Sequence, residues 1–167
     1  MLCWDYESEG WESRISSMPE AGQRELALSC LERTLDMMDA PVSGEFSGPS
    51  IVFFRDAVQD FRAKVASPGQ CVAVLDEENF FEALHVLPDI DPAPGVPPLV
   101  MAFSDYADCL RNRPLSSREV LGIMSSCYEV ILNETGLPRV TVEAERENEM
   151  CRRALQMQRQ LIGNALS

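Results

Sequence analysis

Ser50-Ile51-Val52-Phe53-Phe54-Arg55-Asp56-Ala57-Val58-Gln59-Asp60-Phe61-Arg62-Ala63-Lys64-Val65 places apolar side chains at Ile51, Phe54, Val58, Phe61 and Val65, in steps of three and four. That spacing draws one continuous stripe along a helix with 3.6 residues per turn, whereas a half-buried strand would alternate every second residue. Ser50 stands where a side-chain oxygen caps such a helix. Upstream, Val42 to Pro49 has the Gly, Pro and Ser content of a loop. Before it, Ser17-Met18-Pro19-Glu20 reads as a capping box that opens a helix from Pro19 to Asp39, with Leu26, Cys30, Leu31, Leu35 and Met38 on its apolar face.

Downstream, Ser67-Pro68-Gly69 ends the stripe, and Cys71-Val72-Ala73-Val74-Leu75 admits either a buried strand or the first turns of a helix. No other segment alternates cleanly, so a strand there would lack a partner. The expectation is a helix that continues through Phe80, Phe81, Leu84 and Leu87. Pro88 to Pro98 holds five prolines and is expected to be a stiff irregular connection, with the next helix opening at Pro97 or Pro98 and running through Phe103 and Tyr106 to Leu110. Ser116-Ser117-Arg118-Glu119 is a second capping box, and Gly136 stops its helix. A last helix, capped by Thr141, is expected to reach Ala165. The result is an all-α single-domain bundle of about six helices over residues 17–167. Residues 1–16 read as an arm docking on the domain through Trp4, Tyr6 or Trp11.

The 167-residue chain has 14 Lys and Arg against 27 Asp and Glu, a formal charge of −13. Direct nucleic-acid binding is not expected, because it needs a basic face to displace counterions from phosphates. With 46% hydrophobic residues, the chain is too apolar for a disordered acidic tail. The six cysteines are scattered, with no spacing that suggests zinc or a disulfide framework, and read as small buried hydrophobes. No positively charged leader precedes an apolar run, and no stretch approaches the ~18 apolar residues of a membrane span. The expectation is a protein of the reducing cytoplasm without membrane contact.

Histidine is the usual general base and metal ligand, and the chain has one, His85. Glu82-Ala83-Leu84-His85 matches the Glu-x-x-His spacing of helical di-iron proteins, but such sites use the motif twice. A cysteine or serine nucleophile would likewise depend on His85, and the sequence holds neither a Gly-x-Ser-x-Gly elbow nor a Gly-rich phosphate loop. No catalytic residue, metal or cofactor is therefore expected.

The densest charges are acidic: Asp76-Glu77-Glu78, and Glu143, Glu145, Glu147 and Glu149 at the start of the last helix. On one continuous helix the four glutamates form a negative band. One reading is a solvated surface partly neutralised by Arg146, three residues from Glu143, and by Arg153, four residues from Glu149. The other is a contact for a basic protein, because complementary fields speed association and fix its orientation. An inhibitor covering the active site of a basic toxin is one setting for such a surface. A third expectation is a small-molecule-binding or regulatory domain with Met and Phe side chains lining a pocket between helices.

Phe81-Glu82-Ala83-Leu84, Leu87-Pro88, the Gly95-Val96-Pro97 turn, Tyr106-Ala107-Asp108-Cys109-Leu110 and the Glu143 to Ile162 segment resemble a bacterial family of small all-helical cytoplasmic proteins of unknown function. Short relatives of such domains are similar to immunity proteins of polymorphic toxin systems. The resemblance implies an all-α fold and carries no catalytic residues.

Overall fold

The computed structural model describes residues 1–39, 48–66, 77–112 and 115–167. The described residues form nine helices and no strand: α1 (Cys3–Glu7), α2 (Trp11–Ser16), α3 (Glu20–Asp39), α4 (Gly48–Ala66), α5 (Glu77–Ile90), α6 (Val96–Asn112), α7 (Ser117–Glu134), α8 (Val142–Glu147) and α9 (Glu149–Leu166). The all-α expectation holds. The Cys71–Leu75 run and Asp76 lie outside the described residues, as do the side chains of Glu77 and Glu78.

α7 is the central element and packs against α2, α3, α6 and α9. Its buried residues, among them Val120, Ile123, Met124, Cys127, Tyr128 and Ile131, recur closely enough to cover more than one face. A helix surrounded on several sides needs this pattern, because each neighbour requires its own apolar stripe. Between α4, α5 and α6 the core is aromatic. Phe54 and Phe61 meet Phe103 with ring centroids 4.8 and 5.8 Å apart, and Phe61 lies 5.0 Å from Tyr106. The expected stripe of α4 is thus realised, with Phe54, Val58 and Phe61 buried and Ile51 and Val65 half-buried at its two ends. On the opposite side Arg62 joins α4 to α3 through Glu32 (2.9 Å) and Glu25 (3.1 Å).

Helix ends differ from the sequence expectation in four places. α4 begins at Gly48, so Ser50 lies inside its first turn and not at the cap; Pro49 tolerates that position because the first turn has no partner for its missing N–H. Ser17 does not close a capping box, since its hydroxyl donates backward to the Arg14 carbonyl (2.7 Å) and ends α2. α5 continues past Pro88 to Ile90. A proline in the last turn removes one backbone bond, and the Asp91 N–H closes the turn on the Leu87 carbonyl at 2.9 Å. The irregular link is therefore only 91–95, held by the buried Asp91, whose Oδ1 accepts from Ala93 N–H (3.0 Å). Gly95 suits this link for a steric reason: its N–H donates to Glu134 Oε1 at 2.8 Å, and a Cβ there would lie 2.8 Å from the same oxygen.

The fourth difference is the last helix, which is two. Asn148 adopts an extended backbone (φ −77°, ψ 125°), and its side chain accepts from Cys151 N–H at 3.0 Å to cap α9. The Ser116–Glu119 capping box and the Thr141 cap form as expected. Gly136, at φ +64°, follows the C-cap of α7 in the left-handed conformation that glycine adopts without a Cβ penalty.

The arm of residues 1–16 is helical and docked. Trp4 and Trp11 are buried and meet edge to face, 5.9 Å apart, while Tyr6 is exposed and takes no part. Ile15 is completely buried, and α2 packs on α7 and α9. No helix among the described residues is long and apolar enough to cross a membrane.

Candidate functional site

The break at Asn148 decides what the acidic segment presents. Glu143, Glu147 and Glu149 are exposed, but Glu145 is fully buried. It therefore leaves the expected surface band and belongs to the interior. The reason is positional: α8 lies along α1, and Glu145 is the residue of its short amphipathic turn that faces the junction. Its Oε2 accepts from Cys3 N–H (3.0 Å) and from the Tyr128 hydroxyl (2.6 Å), while Oε1 has no hydrogen-bond partner among the described residues. A buried carboxylate thus ties the arm to α7. Sequence reading missed this because Glu145 sits among exposed glutamates with no local mark to separate it from them.

A second buried link lies beside the first. Trp4 Nε1 donates to Gln158 Oε1 at 2.8 Å, and Gln158 Nε2 donates to the Met124 carbonyl at 2.8 Å. Gln158 is completely buried, so each half of its amide needs the partner it has. The five described cysteines are all buried, as their scattered positions suggested. Burial and the nearby Glu145 carboxylate push the Cys3 thiol up, against the opposing pull of Arg146. Burial first, and then the hydrogen bond to Glu145, raise the Tyr128 phenol far above its ordinary range. Burial also raises Cys151, with Tyr128 opposing and Glu145 adding to the rise. These groups hold their protons at neutral pH, so Cys3 and Cys151 are thiols and not thiolate nucleophiles.

Above this network lies an open groove of about 460 Å³ bordered by α1, α8 and α9. Arg146, Arg152 and Arg159 line it, and Glu7 is its single carboxylate. Arg152 Nη1 donates to the carbonyls of Arg146 (3.1 Å) and Glu147 (2.9 Å), orphan acceptors at the end of α8. Arg159 pairs with Glu7. On the other side of α9 a groove of about 370 Å³ is lined by Arg33, Asp36, Met37, Met150, Arg153 and Met157, among others. One signal of the first groove was available in the sequence: Arg152, Gln156 and Arg159 recur at steps of four and three, and α9 has three arginines against one glutamate in a chain that is otherwise acidic.

The expected neutralisation of the acidic band is not realised. Among the described residues Glu143, Glu147 and Glu149 make no ion pair, and neither Arg146 nor Arg153 reaches a carboxylate. Arg153 Nη1 lies 4.0 Å from the Met150 sulfur, and Arg146 turns toward Cys3.

Glu82 and His85 sit on the exposed side of α5. His85 stacks on Phe81, 6.3 Å between ring centroids, and Arg111 covers the same ring at 5.3 Å. Among the described residues no group of three His, Cys, Asp or Glu side chains is placed to hold a metal ion. The described phenylalanines pack against one another in the core or on its edge, whereas Met37, Met150 and Met157 do border the smaller groove. Comparison with protein-family models, with curated proteins and with solved structures finds no match to this chain.

Proposed function

We propose that this chain is an acidic helical binding domain that engages a basic protein, in the manner of a bacterial immunity protein that covers a toxin domain in the cytoplasm. The observation that carries the reading is the set of exposed carboxylates at the α8–α9 junction that make no ion pair among the described residues: Glu143, Glu147 and Glu149. Carboxylates already held in ion pairs contribute little field beyond their partner, whereas unpaired ones add to the net charge of −13 that an approaching basic surface meets. Rigidity supports the same reading. Glu145 anchors α8 from inside, and Asn148 fixes the angle between α8 and α9, so the three exposed carboxylates sit on a preformed surface and lose little freedom on binding.

Glu77 and Glu78, at the start of α5, and Asp76 before it belong to the same proposal as a second acidic contact. The test is affinity capture on the tagged full-length chain from native lysate, washed at low and then at high salt. The expected result is one stoichiometric basic protein that is retained at low salt, released at high salt, and growth-inhibitory when expressed without this chain. A column that retains nothing at low salt, or a partner that is acidic and survives the salt wash, overturns the reading.

A further inference from the structure

The arginine groove runs against the charge of the rest of the molecule. Three guanidiniums and one carboxylate give its lining a net charge of +2, in a chain of net charge −13. Each guanidinium is oriented by the protein before any ligand arrives. Arg152 is held by two backbone carbonyls, Arg159 by Glu7, and Arg146 lies against Cys3 at the groove wall. Arg152 engages the carbonyls through Nη1 alone, leaving its other donors for a ligand, and Arg146 has no carboxylate partner among the described residues. Planar forks oriented in this way match the oxygens of a tetrahedral oxyanion, and a ligand carrying about two negative charges balances the lining.

We infer that the groove between α1, α8 and α9 binds the phosphate group of a small phosphorylated molecule through Arg146, Arg152 and Arg159. A volume of about 460 Å³ exceeds what a bare phosphate fills and falls within the range of small-molecule sites. Leu155 and Cys3 supply an apolar wall for the rest of the ligand. The overall negative charge repels anions at a distance, so recognition acts at contact range, within the ~8 Å over which salt leaves charges unscreened. This inference does not depend on a protein partner.

The test is calorimetric titration of the full chain with inorganic phosphate and, separately, with glycerol 3-phosphate, at constant ionic strength. Saturable binding of either probe is expected, and tighter binding of glycerol 3-phosphate identifies the ester and not the free ion as the source. Arg146→Gln should weaken binding about tenfold, the loss of one charge-assisted contact. Arg146 is exposed, and an unchanged thermal melt confirms that the variant is folded. Glu7→Gln keeps a polar partner of similar shape beside Arg159 but raises the net charge of the lining from +2 to +3, so it should tighten binding severalfold, a gain that mere loss of a structural ion pair does not produce. Absence of saturable binding up to millimolar probe, or equal affinity in the wild type and both variants, overturns the inference.

Discussion

Glu145 and Glu143 lie two residues apart in one short helix and have opposite physical situations. Glu143 faces water and touches nothing that depends on it. Glu145 is enclosed, and two donors, Cys3 N–H and the Tyr128 hydroxyl, rely on its Oε2. Removing the carboxylate strands both donors in the interior, at about 1–3 kcal/mol for each unsatisfied group, offset in part because Oε1 is itself unpaired. Glu145→Ala should therefore lower unfolding stability by about 2–4 kcal/mol in urea titration, while Glu143→Ala stays within about 0.5 kcal/mol of the wild type. Equal effects of the two substitutions would show that Glu145 does not anchor the arm. Nothing near Glu145 in the sequence distinguishes it, because its partners lie 142 residues upstream and 17 residues upstream. The cysteines are the opposite case: a scattered thiol has few roles other than filling core space, and the five described ones do so.

Helices were legible in the sequence wherever an apolar stripe ran for several turns, as in α3, α4, α6 and α7. Their ends were less so, since a cap is decided by one rotamer. Ser116 meets Glu119 in a reciprocal box, whereas Ser17, with the same Ser-x-x-Glu spacing, turns back to Arg14 because α2 ends there. The division of the last helix at Asn148 was hidden for a related reason: helical spacing continues through it in the sequence, and only the backbone shows the extended residue. The side chain of that asparagine caps α9, accepting from Cys151 N–H. Asn148→Ala should destabilise the protein by about 1 kcal/mol, measured as a lower urea midpoint with an unchanged slope. Asn148→Asp, which retains the capping oxygen, should restore most of the loss. An alanine variant as stable as the wild type would mean that packing alone sets the α8–α9 angle.

At the scale of the whole molecule, the core holds several acidic protons more tightly than the unfolded chain does. The thiols of Cys3, Cys30 and Cys151 and the phenols of Tyr106 and Tyr128 are all raised; burial leads for every one except Cys30, where contact with the Cys127 thiol comes first. Unfolded thiols ionise near about pH 8.5 and phenols near about pH 10. Below those values both states keep the protons and stability is at its full value; as pH rises through them the unfolded chain releases protons first, and the native state loses ground up to its own higher values. The urea midpoint should accordingly be flat near neutrality and fall from about pH 9 upward, with tyrosinate absorbance from the two buried tyrosines appearing together with loss of helix. A midpoint that stays level across that range would contradict the burial of these groups. The fold class was readable from periodicity and the acidity from composition, whereas the distribution of charge was not: the burial of Glu145 and the arginine groove emerge only when α1 is docked beside α8. The proposed engagement of a basic protein is tested most directly by its association rate constant with the captured partner, followed as salt is raised, for the wild type and for the Glu143→Gln, Glu147→Gln, Glu149→Gln triple variant. The account predicts a rate that falls steeply with salt in the wild type and starts severalfold lower, with a shallower slope, in the triple variant; a rate indifferent to both salt and the three substitutions would contradict it.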